Sequence, residues 1–369
     1  MVKGYAVLKL KSFEKIILLV WTSSQEFNNV YRGILSVSYK RMFILSVLFF
    51  LGGLSENSHF FEVCAASVRS PKTIRYMNLY NRRYLYLRDV ASFYGMNYSI
   101  ANKKVVMYSK YSRLEFKLDS RSFVLNRVLS TLSYAVFLNK NHVMIAENDF
   151  SILLDPVLRS RVLPRKRIQR IIIDPGHGGK DNGAEVAGVT EKYLNLKLAL
   201  PLVRELQCRG YVVFLTRTSD VYHTLLSRAE MGKRCKADLF ISLHCNAAAD
   251  SSVHGVECYV ANPQGTPSSG GNTIAKNKTE SDVVVRENAL LGHTMQGMLC
   301  NKLKCADRGF KRKQFMVLRK SEIPTILIET GFMTNPQEFR LLQNQYYRKK
   351  LVDAIADGVD SYAQLLKAS

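Results

Sequence analysis

Ile171-Ile172-Ile173-Asp174-Pro175-Gly176-His177-Gly178-Gly179 is an apolar run that breaks into a glycine-rich turn carrying a histidine. A short β-branched run bounded by turn residues reads as a buried strand. Glycines on both sides of His177 let the backbone come close to a ligand. The same pattern recurs downstream. His244 follows Asp238-Leu239-Phe240-Ile241-Ser242-Leu243, and Glu329 follows Thr325-Ile326-Leu327-Ile328. Glu191 opens a helical pattern directly after Thr190.

Outward from these points, strand and helix signals alternate. Residues 171–174 read as a strand and 190–209 as a helix ended by Gly210. Strands follow at Tyr211–Leu215, Leu239–Leu243, Gly255–Val260 and Thr325–Ile328. Helices are expected over 224–234, 285–304, 336–344 and 347–366. This alternation implies an α/β domain, a doubly wound, mostly parallel sheet with helices on both faces. Pro201 falls inside the first long helix, where an interior proline costs about 3 kcal/mol. A kink or two shorter helices are expected there.

In open α/β sheets, ligands collect beyond the carboxyl ends of the strands. His177, His244 and Glu329 all fall just past a strand signal, and Glu191 starts the helix after the first strand. Two histidines and a glutamate can hold a tetrahedral zinc with one position open. A further carboxylate is what a metal-activated water needs as proton acceptor. Singly, each residue has a plainer reading: a turn residue, a first-turn carboxylate, a core histidine, a paired buried acid. Glu185 competes with Glu191 as a ligand. HxxE and HExxH spacings, which a zinc peptidase would bring, do not occur around His177 or His244.

The 369-residue chain is 47% hydrophobic and 22% charged, a composition of globular protein and not of disorder. Its formal net charge of +23 points to anionic partners. No nucleic-acid motif accompanies the charge, so no nucleic-acid partner is expected. Lys40-Arg41-Met42 precedes the apolar run Phe43–Leu54, and small residues follow at Cys64-Ala65-Ala66. Residues 1–66 therefore read as a targeting region, with export to the periplasm or cell envelope. An uncleaved membrane anchor is the alternative. Six cysteines lie beyond residue 66: export permits disulfides but nothing fixes a pairing, and free buried thiols are the alternative.

Residues 67–156 read as a small α+β domain. Tyr84-Leu85-Tyr86-Leu87-Arg88-Asp89-Val90 leads into a short helix ended by Gly95, with strands at Val105–Tyr108 and Val143–Ile145 and a turn at Asn139-Lys140-Asn141. This run resembles the small domain found at the N-terminus of copper amine oxidases and beside many cell-wall enzymes. The resemblance implies a positioning or wall-binding module and no copper site. Residues 157–169 read as a basic linker, with Arg159, Arg161, Arg165, Lys166 and Arg167. A solvated face or a contact with an anionic wall or membrane surface are its two readings. Residues 170–369 form the α/β domain.

That domain is similar to the zinc-dependent N-acetylmuramoyl-L-alanine amidases of the type-3 family. The resemblance rests on Asp174–Ala184, Thr190-Glu191-Lys192, Leu215-Thr216-Arg217 with Asp220, and Ser227-Arg228-Ala229. It continues through Ile241–Ala247, Gly255-Val256-Glu257, Phe315–Arg319 and Ile328–Phe332 with Asn335, all in the family's order. The resemblance implies that His177, Glu191 and His244 ligate zinc and that Glu329 is the catalytic acid/base. It implies peptidoglycan as substrate, cut between N-acetylmuramic acid and L-alanine, in wall remodelling or daughter-cell separation, with cell-division partners possible. Asn246 and Arg228 are expected to support the site or the substrate. Cys245 departs from the small alanine usual beside the second histidine. The stretch Asn262–Asp282, rich in glycine, proline and serine, is expected to be a flexible, solvated rim of the site and not a helical plug.

Overall fold

The computed structural model describes residues 4–9, 16–21, 73–271, 274–275 and 281–368. Residues 1–68 form one compact unit and residues 69–369 another. In the first, Gly4–Lys9 pairs antiparallel with Ile16–Trp21. The expected targeting core, Phe43–Leu54, and the small residues after Cys64 lie outside the described residues. Among the described residues no helix is long and apolar enough to cross a membrane.

Among the described residues the second unit is built on one sheet of fourteen strands. From its edge the order is Val212–Leu215, Arg170–Pro175, Leu239–Asn246, Thr325–Phe332, Val256–Val260 and Asp307–Arg312. The first four run parallel, Val256–Val260 is antiparallel to Thr325–Phe332, and Asp307–Arg312 is parallel to Val256–Val260. Strands buried on both faces explain the unbroken apolar runs in the sequence. Ile171 and Ile173 join the main core with Leu194, Leu198, Leu202 and Leu206 of the Glu191–Cys208 helix. Ile172, between them, packs on the other face with Phe240 and Met231. Glu191–Cys208, Asp282–Leu303 and Gln345–Lys367 feed the main core, while Leu225–Arg234 packs against Met316–Arg319. The fold is thus α/β with a mixed, mostly parallel central sheet.

Two expectations are refined here. Of the kink or the two shorter helices expected at Pro201, the division does not occur: Glu191–Cys208 is one element with Pro201 inside it. Four leucines on its buried face, each worth about 1.5–3 kcal/mol on burial, outweigh the missing hydrogen bond. Second, residues 262–271 are not a loose rim. Val256–Val260 runs antiparallel to Thr325–Phe332, so the chain leaves it toward the start of the parallel strands, away from their carboxyl ends. There Thr266 is fully buried, Ser269 N donates to Arg312 O at 2.8 Å, and Arg312 N donates to Ser269 Oγ at 2.9 Å. Arg121 donates to the carbonyls of Pro267 and Ser268 at 3.2 and 3.0 Å. The expectation that this stretch holds no helix stands for residues 262–271.

The sheet continues past Asp307–Arg312. Val128–Asn139 lies parallel beside it, joined at Phe310 and Ser130, and leads on through Ser120–Leu125, Arg113–Lys117, Lys104–Tyr108 and Asn97–Ala101. The Asn139–His142 connection is tight, with Lys140 and Asn141 both at positive φ, as a two-residue hairpin turn demands. Residues 157–169, read in the sequence as a basic linker, are packed: Leu163 and Ile168 enter the core.

Arg312 bridges the two parts of the sheet. Its Nη2 donates to Thr131 O and to Asp149 Oδ1, both at 3.0 Å, and Asp149 also accepts from Ser133 N at 2.7 Å and Tyr134 N at 3.0 Å. Both charged side chains are buried. Removing one member of a buried pair strands the other's charge and costs about 3–5 kcal/mol. Arg312→Ala is therefore expected to lower unfolding free energy by about that amount in urea titration. A loss under about 1 kcal/mol would show that the pair does not join the two parts of the sheet.

Candidate metal and catalytic site

The site lies at the carboxyl ends of the parallel strands. His177 sits in the turn after Arg170–Pro175, at φ +61. A left-handed conformation costs a non-glycine residue about 1–2 kcal/mol and persists only where the surroundings impose it. Here two buried arginines do so. Arg228 donates to Pro175 O at 3.0 Å and His177 O at 2.6 Å, and Arg217 to Pro175 O and Gly176 O, both at 2.9 Å. Asp174, buried at the strand end, anchors Arg228 at 2.8 Å and also accepts from Thr216 and Ser242.

Glu191 is the hub. Its Oε2 lies 3.1 Å from His177 Nε2, and its Oε1 lies 2.8 Å from His244 Nδ1. It also accepts from Ala184 N at 3.0 Å, Cys245 N at 3.2 Å and Asn195 Nδ2 at 3.2 Å. Burial pushes its carboxyl up, but the two histidines outweigh that and hold it far below the usual carboxylate range. His177 is raised above an ordinary imidazole: burial opposes protonation, and Glu191 and Asp181 overcome it. One ligand atom from each of His177, Glu191 and His244 falls within a 4.8 Å cluster. The histidine rings meet edge to face at 4.9 Å. Glycine is required beside them, since a Cβ at Gly176 would run into the His244 ring and one at Gly183 would stand 2.5 Å from Glu191 Oε2.

Glu329 is aligned with His244 on the neighbouring parallel strand and with Glu257 on the antiparallel one. Its proton affinity is raised well above the ordinary value by burial first, then by the charges of Glu191 and Glu257, with Lys311 opposing. Its Oε2 is buried with no hydrogen-bond partner among the described residues. His177 Nδ1 is likewise buried and unpartnered, for Asp181 Oδ2 stands 2.9 Å away without hydrogen-bond alignment. Unsatisfied polar atoms are rare in protein interiors. Two at one site, beside a clustered nitrogen–oxygen–nitrogen donor set, fit a bound divalent cation.

All four principal residues read from the sequence are thus brought together. Glu185 is not; it sits on the exposed Glu185–Val186 strand, 3.3 Å from Asn182 Nδ2. Arg228 holds the His177 turn by its backbone. Asn246 donates to Glu257 Oε1 at 2.6 Å. Cys245 lies outside the cluster, its thiol against Thr330 Oγ1 at 3.4 Å and pushed up by burial. The sequence reading assigned no role to Asn195, Arg217 or Glu257. Asn195 was detectable as the residue four positions after Glu191, hence on the same helix face. Glu257 accepts from Tyr259 OH at 2.7 Å and pairs with Lys311, a contact that needs the unrecognised Asp307–Arg312 strand.

The sequence is similar to those of known amidases. The amidase AmiC of Neisseria meningitidis is 33% identical over 216 residues, 52% of this chain and 52% of that protein. The amidase LytC of Bacillus subtilis is 32% identical over 194 residues, 53% of this chain and 35% of that protein. The chain therefore spans about half or less of these curated relatives. A crystal structure of an N-acetylmuramoyl-L-alanine amidase from Clostridium difficile 630 is 32% identical, covering 54% of this chain and 98% of its own, with a TM-score of 0.46. The N-acetylmuramoyl-L-alanine amidase family pattern matches residues 171–361, more than half of the sequence, and the chain belongs to that family.

Proposed function

We propose that this protein is a zinc-dependent peptidoglycan hydrolase that cleaves the amide between N-acetylmuramic acid and the L-alanine of the stem peptide. The observation that carries the reading is the convergence of His177, Glu191 and His244 with Glu329 beside them at one end of the sheet. His177, Glu191 and His244 would hold the zinc. When bound, the metal supplies a Lewis acid that polarises the scissile carbonyl and makes water more acidic.

The chain's own residues account for the remaining work. Glu329, with a free buried carboxylate oxygen, takes the proton from the attacking water and returns it to the departing alanine nitrogen. An amide nitrogen leaves poorly without that proton. Glu191, fixed by three further donors, keeps both imidazoles oriented. Arg228 and Arg217 hold the His177 turn, and Glu257 fixes the Asn246 amide.

The same proposal places the enzyme in the cell envelope, acting in wall remodelling or daughter-cell separation. It assigns residues 67–156 to positioning or wall binding and residues 157–169 to an anionic wall or membrane surface. Digestion of purified muropeptides, with and without chelator, tests the core of it by mass spectrometry. Muramoyl sugar and intact stem peptide are expected without chelator only; release of terminal amino acids would instead identify a carboxypeptidase.

Glu329→Gln keeps the shape but cannot accept a proton. Turnover is expected to fall about a hundredfold or more while zinc stays bound. Retained turnover in the zinc-loaded variant would remove Glu329 from the mechanism.

His177→Ala, Glu191→Ala and His244→Ala are each expected to lower zinc content, measured by elemental analysis of the purified chain. Gly176→Ala should do the same through the His244 ring it would displace. Glu185→Ala should keep its zinc; the reverse result for Glu185 and Glu191 would exchange their roles.

A further inference from the structure

The turn that positions His177 also carries Lys180, three residues on. Three residues of chain span at most about 10 Å, so the Lys180 backbone stands close to the metal cluster. The turn is held hard against residues 219–222. Gly179 N donates to Asp220 Oδ1 at 2.7 Å, and Lys192 Nζ binds both Gly179 O at 2.7 Å and Asp220 Oδ2 at 2.9 Å. A Cβ at Gly178 would run into Val221 O, and one at Gly179 would stand 2.7 Å from Tyr222 N. The two turns therefore meet backbone to backbone, and Lys180 and Tyr222 project from a fixed base.

Lys180 Nζ lies 4.8 Å from the centre of the Tyr222 ring, and both side chains are exposed. An aromatic face holds an ammonium in place without neutralising it. Among the described residues Lys180 has no ion-pair partner, whereas nearby Lys192 is tied to Asp220. The adjacent acid, Asp181, faces His177. An unneutralised cation on a rigid turn beside a catalytic cluster is a recognition element for an anion.

We propose that Lys180 and Tyr222 form a subsite for a carboxylate of the stem peptide, on the leaving side of the scissile amide. The inference rests on the amidase reading above. The muramoyl side of that bond brings neutral N-acetylated sugars, and the peptide side brings carboxylates, so charge assigns the cation to the peptide. The Tyr222 ring keeps the ammonium in register and offers a flat wall to the peptide's methyl and methylene groups.

The test uses the full, zinc-loaded chain carrying Glu329→Gln, so that binding is read without turnover. Two soluble disaccharide-peptides are compared by calorimetry, identical except that one has free stem-peptide carboxylates and the other has them amidated. The free-carboxylate fragment is expected to bind about fivefold tighter. Adding Lys180→Met should bring that ratio close to one, and Lys180→Arg should keep it. An unchanged ratio in Lys180→Met, no preference in the Glu329→Gln chain, or no binding of either fragment would each overturn the subsite. Turnover of the amidated fragment by the chain with Glu329 intact reports the amidase reading separately, since that fragment does not call on the subsite.

Discussion

Two buried guanidinium groups hold the site together. Arg217 and Arg228 donate into the carbonyls of Pro175, Gly176 and His177, and Asp174 beneath them anchors Arg228. Without these bonds the Pro175 and His177 carbonyls would lose these donors at a water-poor strand end, at a cost of about 1–3 kcal/mol each, and Gly176 O would keep only Asn195. With them, the chain turns sharply enough to bring His177 over Glu191. Everything else at the site is referred to that turn. Asn195 ties it to the helix through Gly176 O at 3.3 Å, and Lys192 ties it through Gly179 O.

The parallel half of the fold was legible because its strands are buried on both faces and so their core runs are mostly apolar, Ser242 and Thr325 being the exceptions. Ile171–Ile173, Leu239–Leu243 and Thr325–Ile328 stand out for that reason. His177, His244 and Glu329 stood out as site candidates because they follow those runs at the end where ligands collect, and Glu191 because it opens the helix after the first. The site's supporting cast was harder to see. Arg217 looks like an ordinary surface polar residue in a list of letters, and only the closing of the turn gives it work.

Asp307–Arg312 escaped because its sequence, Asp-Arg-Gly-Phe-Lys-Arg, contains one apolar residue. It is nonetheless an interior strand. Phe310 fills the core, Arg312 is neutralised by Asp149, Lys311 by Glu257, and Asp307 accepts from Leu129 N at 2.8 Å. Each charge is satisfied by a partner distant in sequence, so hydrophobic periodicity carries no trace of it. The misreading of residues 262–271 has the same root. Glycine, proline and serine are turn formers in isolation, but here their carbonyls are claimed by Arg121 from the neighbouring strands.

This leaves an electrostatic problem at the centre of the sheet. Register places Glu329 opposite Glu257 on one side and opposite His244, which Glu191 contacts, on the other. Like charges in a shielded site repel strongly, so each carboxylate needs its own compensation. Glu191 has His177 and His244; Glu257 has Lys311, with Arg308 at 3.4 Å. Among the described residues no ion pair reaches Glu329, and its inner oxygen has no hydrogen bond. The arrangement is satisfied in two ways only: Glu329 carries a proton, or a positive charge enters beside it. The acid/base role proposed for Glu329 needs both states, and the row leaves that one carboxylate, unlike Glu191 and Glu257, without a paired charge.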